Sequence, residues 1–463
     1  MSAFCDDALG KDDAVEVARR IRDGQVSAAE VVEAAIARAE RVNPRLNAIA
    51  APLFDSARTA AMEPSGGQLL GVPSFLKDSD AFVGAPVRFG SRGMPNVPAE
   101  ESSRFAKQFL ETGLVILGKT TSPEFGLTGT TEALLHGPTH NPWRLGVSPG
   151  GSSGGSAALV AAGVVPLAHA NDGGGSTRIP AACCGLVGLK PSRGRLPSIE
   201  GAALMPVKIV HQGMLSRSVR DTIAFYEAAE KVQRNRALPE IGRVTRPGRR
   251  LRIGFFSDIG KGTPAHPDSV AAVAKVAMLC EELGHNVEPA PLPFDEGFHE
   301  DFFLNWAALA FALVHFGKQV VHPGFDRDEV EPFTEGLARY FRENASRAPG
   351  TLLRLRKFAR RYARQFERYD VLMNPTIATP PPELGFIGPE VDFETALERL
   401  KWFIPFTPVQ NVSGTPAISL PLAQSADGLP LGVQLASAMG AERTLLELAL
   451  ELEEASPWPT LAT

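Results

Sequence analysis

Apolar side chains recur at helical spacing over residues 13 to 23 and again over 27 to 42, where Val31, Val32, Ala35, Ile36 and Ala39 share one face. Ser27-Ala28-Ala29-Glu30 forms a capping box at the start of the second stretch, and Asn43-Pro44 predicts its stop. Leu69 to Phe75 and Leu114 to Leu117 read as short buried strands, with a helical pattern across Ser103 to Glu111 between them, which is a βαβ rhythm. From residue 216, SRSVRDTIAFYEAAE predicts a capped amphipathic helix, and the Arg- and Pro-rich residues 233 to 250 a surface crossover. Leu251 to Phe256 then predicts a strand, and Ser269 to Leu283 a helix closed by Gly284. Residues 295 to 368 change character and become helix-patterned and richer in Phe, with Trp306 among them. Tyr369 to Met373, Ala417 to Leu422 and Leu431 to Leu435 restore buried strands ahead of a closing helix over Glu442 to Glu453. This alternation predicts an α/β class: one α/β/α layered domain over 1–463, with a mixed, largely parallel central sheet covered by helices. Residues 1–65 supply helices packed on its outside.

Composition narrows the function. With 44% hydrophobic and 21% charged residues the chain is globular in type, and a net charge of −5 lacks the basic bias of a nucleic-acid binder. The one basic run, Arg354, Arg356, Lys357, Arg360, Arg361, Arg364 and Arg368, alternates with Leu353, Leu355, Phe358, Tyr362 and Phe366, the pattern of a solvated helix face. No apolar stretch reaches membrane-spanning length. The start MSAFCDDALGKDD lacks a basic segment followed by a hydrophobic one, so the expected address is cytoplasmic. Cys5, Cys183, Cys184 and Cys280 have neither disulfide-framework nor metal spacing and read as small buried side chains, so no metal or other cofactor is implied.

The candidate chemistry lies between Gly146 and Arg195, where glycine and serine stand in place of core residues. One loop is Pro149-Gly150-Gly151-Ser152-Ser153-Gly154-Gly155-Ser156; the other is Asn171-Asp172-Gly173-Gly174-Gly175-Ser176, opening into Thr177-Arg178-Ile179-Pro180. Consecutive glycines are costly to order unless their backbone must approach something closely. The N–H groups of Gly173, Gly174, Gly175 and Ser176 are candidates for an anion-binding nest beside a helix N-terminus, which would set Ser176 next to an oxyanion hole. A nucleophilic serine needs a base. His169 lies in the strand-like run before the loop, with its direction open. Lys77, after the apolar run Gly71 to Leu76, is the other candidate, because burial can bring a lysine pKa from ~10.4 to the ~7–8 that suits a general base.

Lys77 in GVPSFLKDS, the paired serines of PGGSSGGSA, the loop NDGGGSTRIP and the trailing CCGLVGLKPS together resemble the amidase signature hydrolases. The likeness runs on through SPEFGLTGT (122 to 130) to Asn411-Val412-Ser413-Gly414-Thr415-Pro416-Ala417, and so covers most of the chain. It implies Ser176 as nucleophile, Ser152 as a relay serine after a cis peptide, and Lys77 as base, with Ser153, Asp172 and Arg178 in support and 70–235 as catalytic core. The implied reaction is hydrolysis of a small-molecule linear or cyclic amide through an acyl-enzyme, without nucleic acid or membrane. The likeness leaves a homodimer open. The chain departs from the family pattern at Ser79, at Asn171-Asp172-Gly173 and at Thr177. The wording AHANDGGGSTRIPAACCGLVGLKPSRGR is similar to actinobacterial amidases and to the branch that opens cyclic aminohexanoate dimers. Residues 295–368 are the expected wall of the acyl pocket, with Trp306, Phe311 and Phe316 as candidates for its lining or for the core.

Rival readings remain open. The segment from Gly113 to Thr120 matches G-x-x-x-x-G-K-T, but its four middle residues are themselves strand-like where a phosphate loop needs a flexible cradle. Gly151 to Gly155 fits the G-x-S-x-G of a serine esterase with Ser153 as nucleophile, although Pro149-Gly150 weakens the strand that motif requires. The same family signature also occurs in one component of the glutamine-dependent tRNA amidotransferase complex, whose pattern the segment Gln212 to Arg217 does not follow.

Overall fold

The computed structural model describes residues 1–199, 207–260 and 262–462. It opens on α1 (Ala14–Arg22) and α2 (Ala28–Leu46), capped by Asp13 and Ser27. Glu30 accepts from the Ser27 N–H, completing the capping box. α2 continues through Pro44, past the expected stop. It ends instead at Asn47, in the left-handed region, while Asn43 Oδ1 accepts from the N–H groups of Ala48 and Ile49 and turns the chain.

β1 (Ile49–Pro52), α3 (Phe54–Met62), β2 (Pro73–Lys77), α4 (Arg104–Glu111) and β3 (Val115–Thr120) follow, the strands forming a small sheet in the order β1-β3-β2. β2 and β3 are parallel across α4, as the βαβ rhythm predicts. Both strands lie further along the chain than the apolar runs. β2 therefore ends on Lys77, and Gly118, Lys119 and Thr120 are strand, which rules out a phosphate loop there. A short ladder joins β4 (Glu132–Ala133) to β5 (Gly137–Pro138).

Next come α5 (Gly154–Ala162), β6 (Leu167–Asp172), α6 (Arg178–Cys184), β7 (Val187–Lys190), β8 (His211–Ser216), α7 (Val219–Val232), β9 (Arg252–Phe255), α8 (Pro267–Glu282) and β10 (Asn286–Pro289). A helical stretch of α9 (Phe298–Val320), α10 (Pro332–Asn344), α11 (Ala348–Ala363) and α12 (Gln365–Arg368) precedes β11 (Val371–Pro375), α13 (Phe393–Phe403), α14 (Pro408–Ser413), β12 (Ala417–Gln424), β13 (Pro430–Ala436) and α15 (Glu442–Ala455). The apolar pattern does not reveal α13 and α14.

The described residues form an eight-stranded central sheet, ordered β10-β9-β11-β13-β12-β7-β8-β6. Its α/β layering and mixed character agree with expectation, but it is not largely parallel. Only β10, β9 and β11 pair in parallel, and β13, β12, β7, β8 and β6 run antiparallel to their neighbours. Buried strands of either sense are equally apolar, so hydropathy does not separate them. α5 and α6 are buried along their whole length, and Cys183, Cys184 and Cys280 are in the core, whereas Cys5 is exposed. Of the basic run, Arg354, Arg361 and Arg368 pair with Asp301, Asp295 and Glu288, while Leu355, Phe358 and Tyr362 face inward. Among the described residues no helix is long and apolar enough to cross a membrane.

Candidate active site

The small sheet and edge strand β6 of the large one meet at the site. Ser74 Oγ donates to Leu167 O at 3.0 Å, and the Lys77 N–H donates to His169 Nδ1 at 3.1 Å. His169 is wholly buried and its Nε2 faces Gln212 Oε1 at 2.9 Å, so the ring is the Nε2–H tautomer, bridging two strands. Burial pushes its pKa down to about 3, and its ring nitrogens are occupied by β2 and β8. It is a structural histidine.

Lys77 ends β2 with its amine inside the protein, 1% exposed. Nζ donates to Ser152 Oγ at 2.6 Å and to Asn171 Oδ1 at 2.8 Å. Burial lowers its pKa to about 7 against the opposing pull of Asp172 and Asp78. At that value the amine exchanges its proton near neutrality, as a base for a hydroxyl must. Asn171 in turn donates to Ser79 Oγ at 2.6 Å. Two of the departures noted in the sequence thus meet: a serine at 79 takes the donor side of the amide, leaving its oxygen for Lys77.

Ser152 sits on the loop between β5 and α5, and the Gly151–Ser152 peptide is cis. Glycine is required at 151, since a Cβ there would lie 2.4 Å from Thr130 O. Ser153 is the N-cap residue of α5, with Oγ 3.4 Å from Asn171 O. No strand leads into it, so the strand-turn-helix of an esterase elbow is missing.

Ser176 follows the glycine loop at 6% exposure and lines the same cleft as Lys77 and Ser152. Among the described residues its hydroxyl has no hydrogen bond to Ser152; contacts of this kind commonly tighten only around substrate. Asp172 shapes its loop. One carboxylate oxygen accepts from the Gly175 N–H at 2.8 Å and the other from the Thr177 N–H at 3.2 Å, and both bond Arg178, at 2.8 and 3.0 Å. Burial alone would raise this carboxyl, but the Arg178 charge holds it far below the usual range. Arg178 is anchored by Gln410, Gln434 and Asn411, and Asn411 also donates to Asp172. The expected nest loses one member, because the Gly175 N–H is committed to Asp172. The N–H groups of Gly173, Gly174 and Ser176 have no acceptor among the described residues. Gly175, with φ at 131°, leaves no room for a side chain, because a Cβ would lie 2.3 Å from Thr407 Oγ1.

The cleft, of about 870 Å³, extends from Lys77, Ser152 and Ser176 towards α9. Trp306 lines it and donates Nε1–H to Leu127 O at 3.2 Å. Phe311 packs instead against His315 and Phe341, and Phe316 is 50% exposed, so neither belongs to the lining. Glu124, beside the lining residue Phe125, was not anticipated. It accepts from Ser91 Oγ, from the Glu331 N–H and from Thr334 Oγ, tying this wall to the start of α10. Among the described residues no cluster of three or more His, Cys, Asp or Glu is arranged to hold a metal ion.

The amidase family profile matches residues 30–446. The chain belongs to the amidase family. "Putative amidase AmiC" of Mycobacterium tuberculosis is 50% identical over 464 residues, covering 98% of this chain and 97% of that one. The 6-aminohexanoate-cyclic-dimer hydrolase of Paenarthrobacter ureafaciens is 36% identical, covering 96% and 95%. Among solved structures, a 6-aminohexanoate cyclic dimer hydrolase complexed with substrate aligns at a TM-score of 0.88 with 34% identity over 97% of this chain and 98% of that one. A bacterial aryl acylamidase of the amidase signature family aligns at 0.86 with 28% identity, over 96% of each. As an amidase the chain is a hydrolase of amide C–N bonds, with the amidase signature fold.

Proposed function

We propose that this amidase cleaves its substrate through an acyl-enzyme on Ser176, with Lys77 as general base and Ser152 as proton relay. The observation that carries the reading is the 2.6 Å contact from Lys77 Nζ to Ser152 Oγ, made by an amine whose pKa burial lowers to about 7. Neutral Lys77 takes the Ser152 proton as Ser152 takes that of Ser176, and Ser176 Oγ attacks the amide carbonyl. The N–H groups of Gly173, Gly174 and Ser176 are the candidate donors to the oxyanion, each worth about 3 kcal/mol by comparison with single-donor deletions. Returned along the same path, the proton converts a poor amide leaving group into a neutral amine, and water then releases the acid. Ser153, Asp172 and Arg178 hold the two loops in register.

The substrate is a small-molecule amide. Lys77 is the only lysine or arginine among the described residues lining the cleft, which weighs against a glutamine site built around an α-carboxylate. The test is mass spectrometry of protein quenched during turnover of a 4-nitroanilide. The expected result is an acyl adduct on the Ser176 peptide that is absent in Ser176→Ala. An adduct on Ser152 or Ser153, or undiminished turnover by Ser176→Ala, overturns the assignment.

A further inference from the structure

The face that α9 turns to the cleft is mostly apolar, with Ala308, Leu309, Ala312 and Leu313 lining it, and Val207 and Val210 add to the apolar lining. Asn305 of α9 interrupts it. This residue is 7% exposed and lines the cleft next to Trp306, and its carboxamide has no hydrogen-bond partner among the described residues. Its polar atoms open to the cleft, where a ligand can supply the partner that the protein does not. Other polar side chains close to the reacting groups are engaged: Asn171 holds Lys77 and Ser79, and Asp80 accepts from Ser103 and Gln212. The cleft is also far larger than a primary amide of a few carbons requires. In a mostly apolar pocket, a polar group that converges on the ligand fixes the orientation of one that presents a matching polar group.

We propose that Asn305 is a specificity-determining residue, seating a second, uncharged hydrogen-bonding group, such as a ketone or a second amide, carried by an otherwise apolar amide substrate. A carboxamide offers both donor and acceptor, so it satisfies a carbonyl or an N–H equally and adds no charge. The described lining has no lysine or arginine besides Lys77 to hold an acid, and residues 200–206, outside the described set, contain no Lys, Arg or His in their sequence. The histidine of the lining, His322, lies past the end of α9, beyond the break in that helix at Phe316, whereas Asn305 is in its first half. The subsite therefore offers no cationic partner to an acidic group. This inference rests on the amidase reading of the cleft.

The test uses amides in which one ketone carbonyl is moved along either arm of an anilide, each matched to its methylene counterpart. Binding is measured calorimetrically to Ser176→Ala with Asn305 intact and with Asn305→Leu added. The best-placed ketone is expected to bind about tenfold more tightly than its methylene partner when Asn305 is present, and to lose that margin with Asn305→Leu. The methylene compound should bind both proteins equally, which shows that the cleft is intact, and Asn305→Gln should restore part of the margin. Equal binding of ketone and methylene at every position, equal losses for both on Asn305→Leu, or no binding of either overturns the subsite. Because binding is read without turnover, a wild-type protein that fails to acylate Ser176 refutes the reaction scheme and leaves the subsite result to stand on its own.

Discussion

Lys77 and Asn171 are joined by a 2.8 Å hydrogen bond in which the amide oxygen, not a carboxylate, receives the amine. A neutral acceptor holds the amine in place without favouring its protonated form as strongly as a full negative charge does. Asn171→Asp puts that charge beside Nζ and is expected to move the acid limb of the kcat/KM profile, centred near 7 in the native protein, upward by at least about one pH unit. Activity at neutral pH falls and returns at alkaline pH. A pH–rate profile checks this, and an unmoved limb would show that another group titrates.

Ser176→Ala is expected to lower kcat by about 10⁴-fold or more, and Ser152→Ala by a comparable factor, because groups that act as a unit fail together. The double variant should be scarcely worse than either single one. Additive losses, measured by steady-state kinetics on an anilide, would separate the two serines. His169→Ala, by contrast, should alter stability more than chemistry, since its ring nitrogens bridge β2 and β8.

Lys77→Met should be inactive yet more stable than the native protein at low pH. Below about 7 both folded and unfolded chains carry the Lys77 proton, and the cost of burying it is full; between about 7 and 10.5 the unfolded chain holds a proton that the folded one has shed, so native stability recovers as pH rises. The expected gain is about 1–4 kcal/mol at pH 6, shrinking towards pH 10. Urea unfolding of both proteins across that range reads the difference.

Arg178→Met strands the Asp172 carboxylate in the core and is expected to cost about 3–5 kcal/mol of stability. Asp172→Asn added to it should recover part of the loss, because the uncompensated charge is then gone. Thermal or urea unfolding of the single and double variants reads both effects.

Much of this was legible in the sequence because it is written in local chemistry. The capping box at Ser27 and Glu30, the helix after Ser103, the two glycine loops and Lys77 at the end of an apolar run each depend on neighbours along the chain. What was not legible depends on partners far apart. The pairing of Ser79 with Asn171 was visible as two separate departures from the family pattern, yet only the approach of β2 to β6 makes them one hydrogen bond. The antiparallel course of β12 and β13, the loss of the Gly175 N–H to Asp172, and the outward turn of Phe316 follow from three-dimensional packing that periodicity does not encode.

The rings of α9 press on the backbone that presents Ser176, the proposed nucleophile. A Cβ on Gly173 would lie 2.9 Å from Trp306, and one on Gly174 would lie 3.0 Å from Phe302. The helix that shapes the acceptor space is therefore also the backstop of the reacting loop. Whittling these rings down to admit bulkier amides withdraws support from the turn that aims Ser176, so breadth of substrate and speed are traded against each other in one helix. Enlargement that spares turnover is to be sought further along α9, at Leu309 and Leu313, which line the cleft and are not among the nearest neighbours of Gly173 or Gly174.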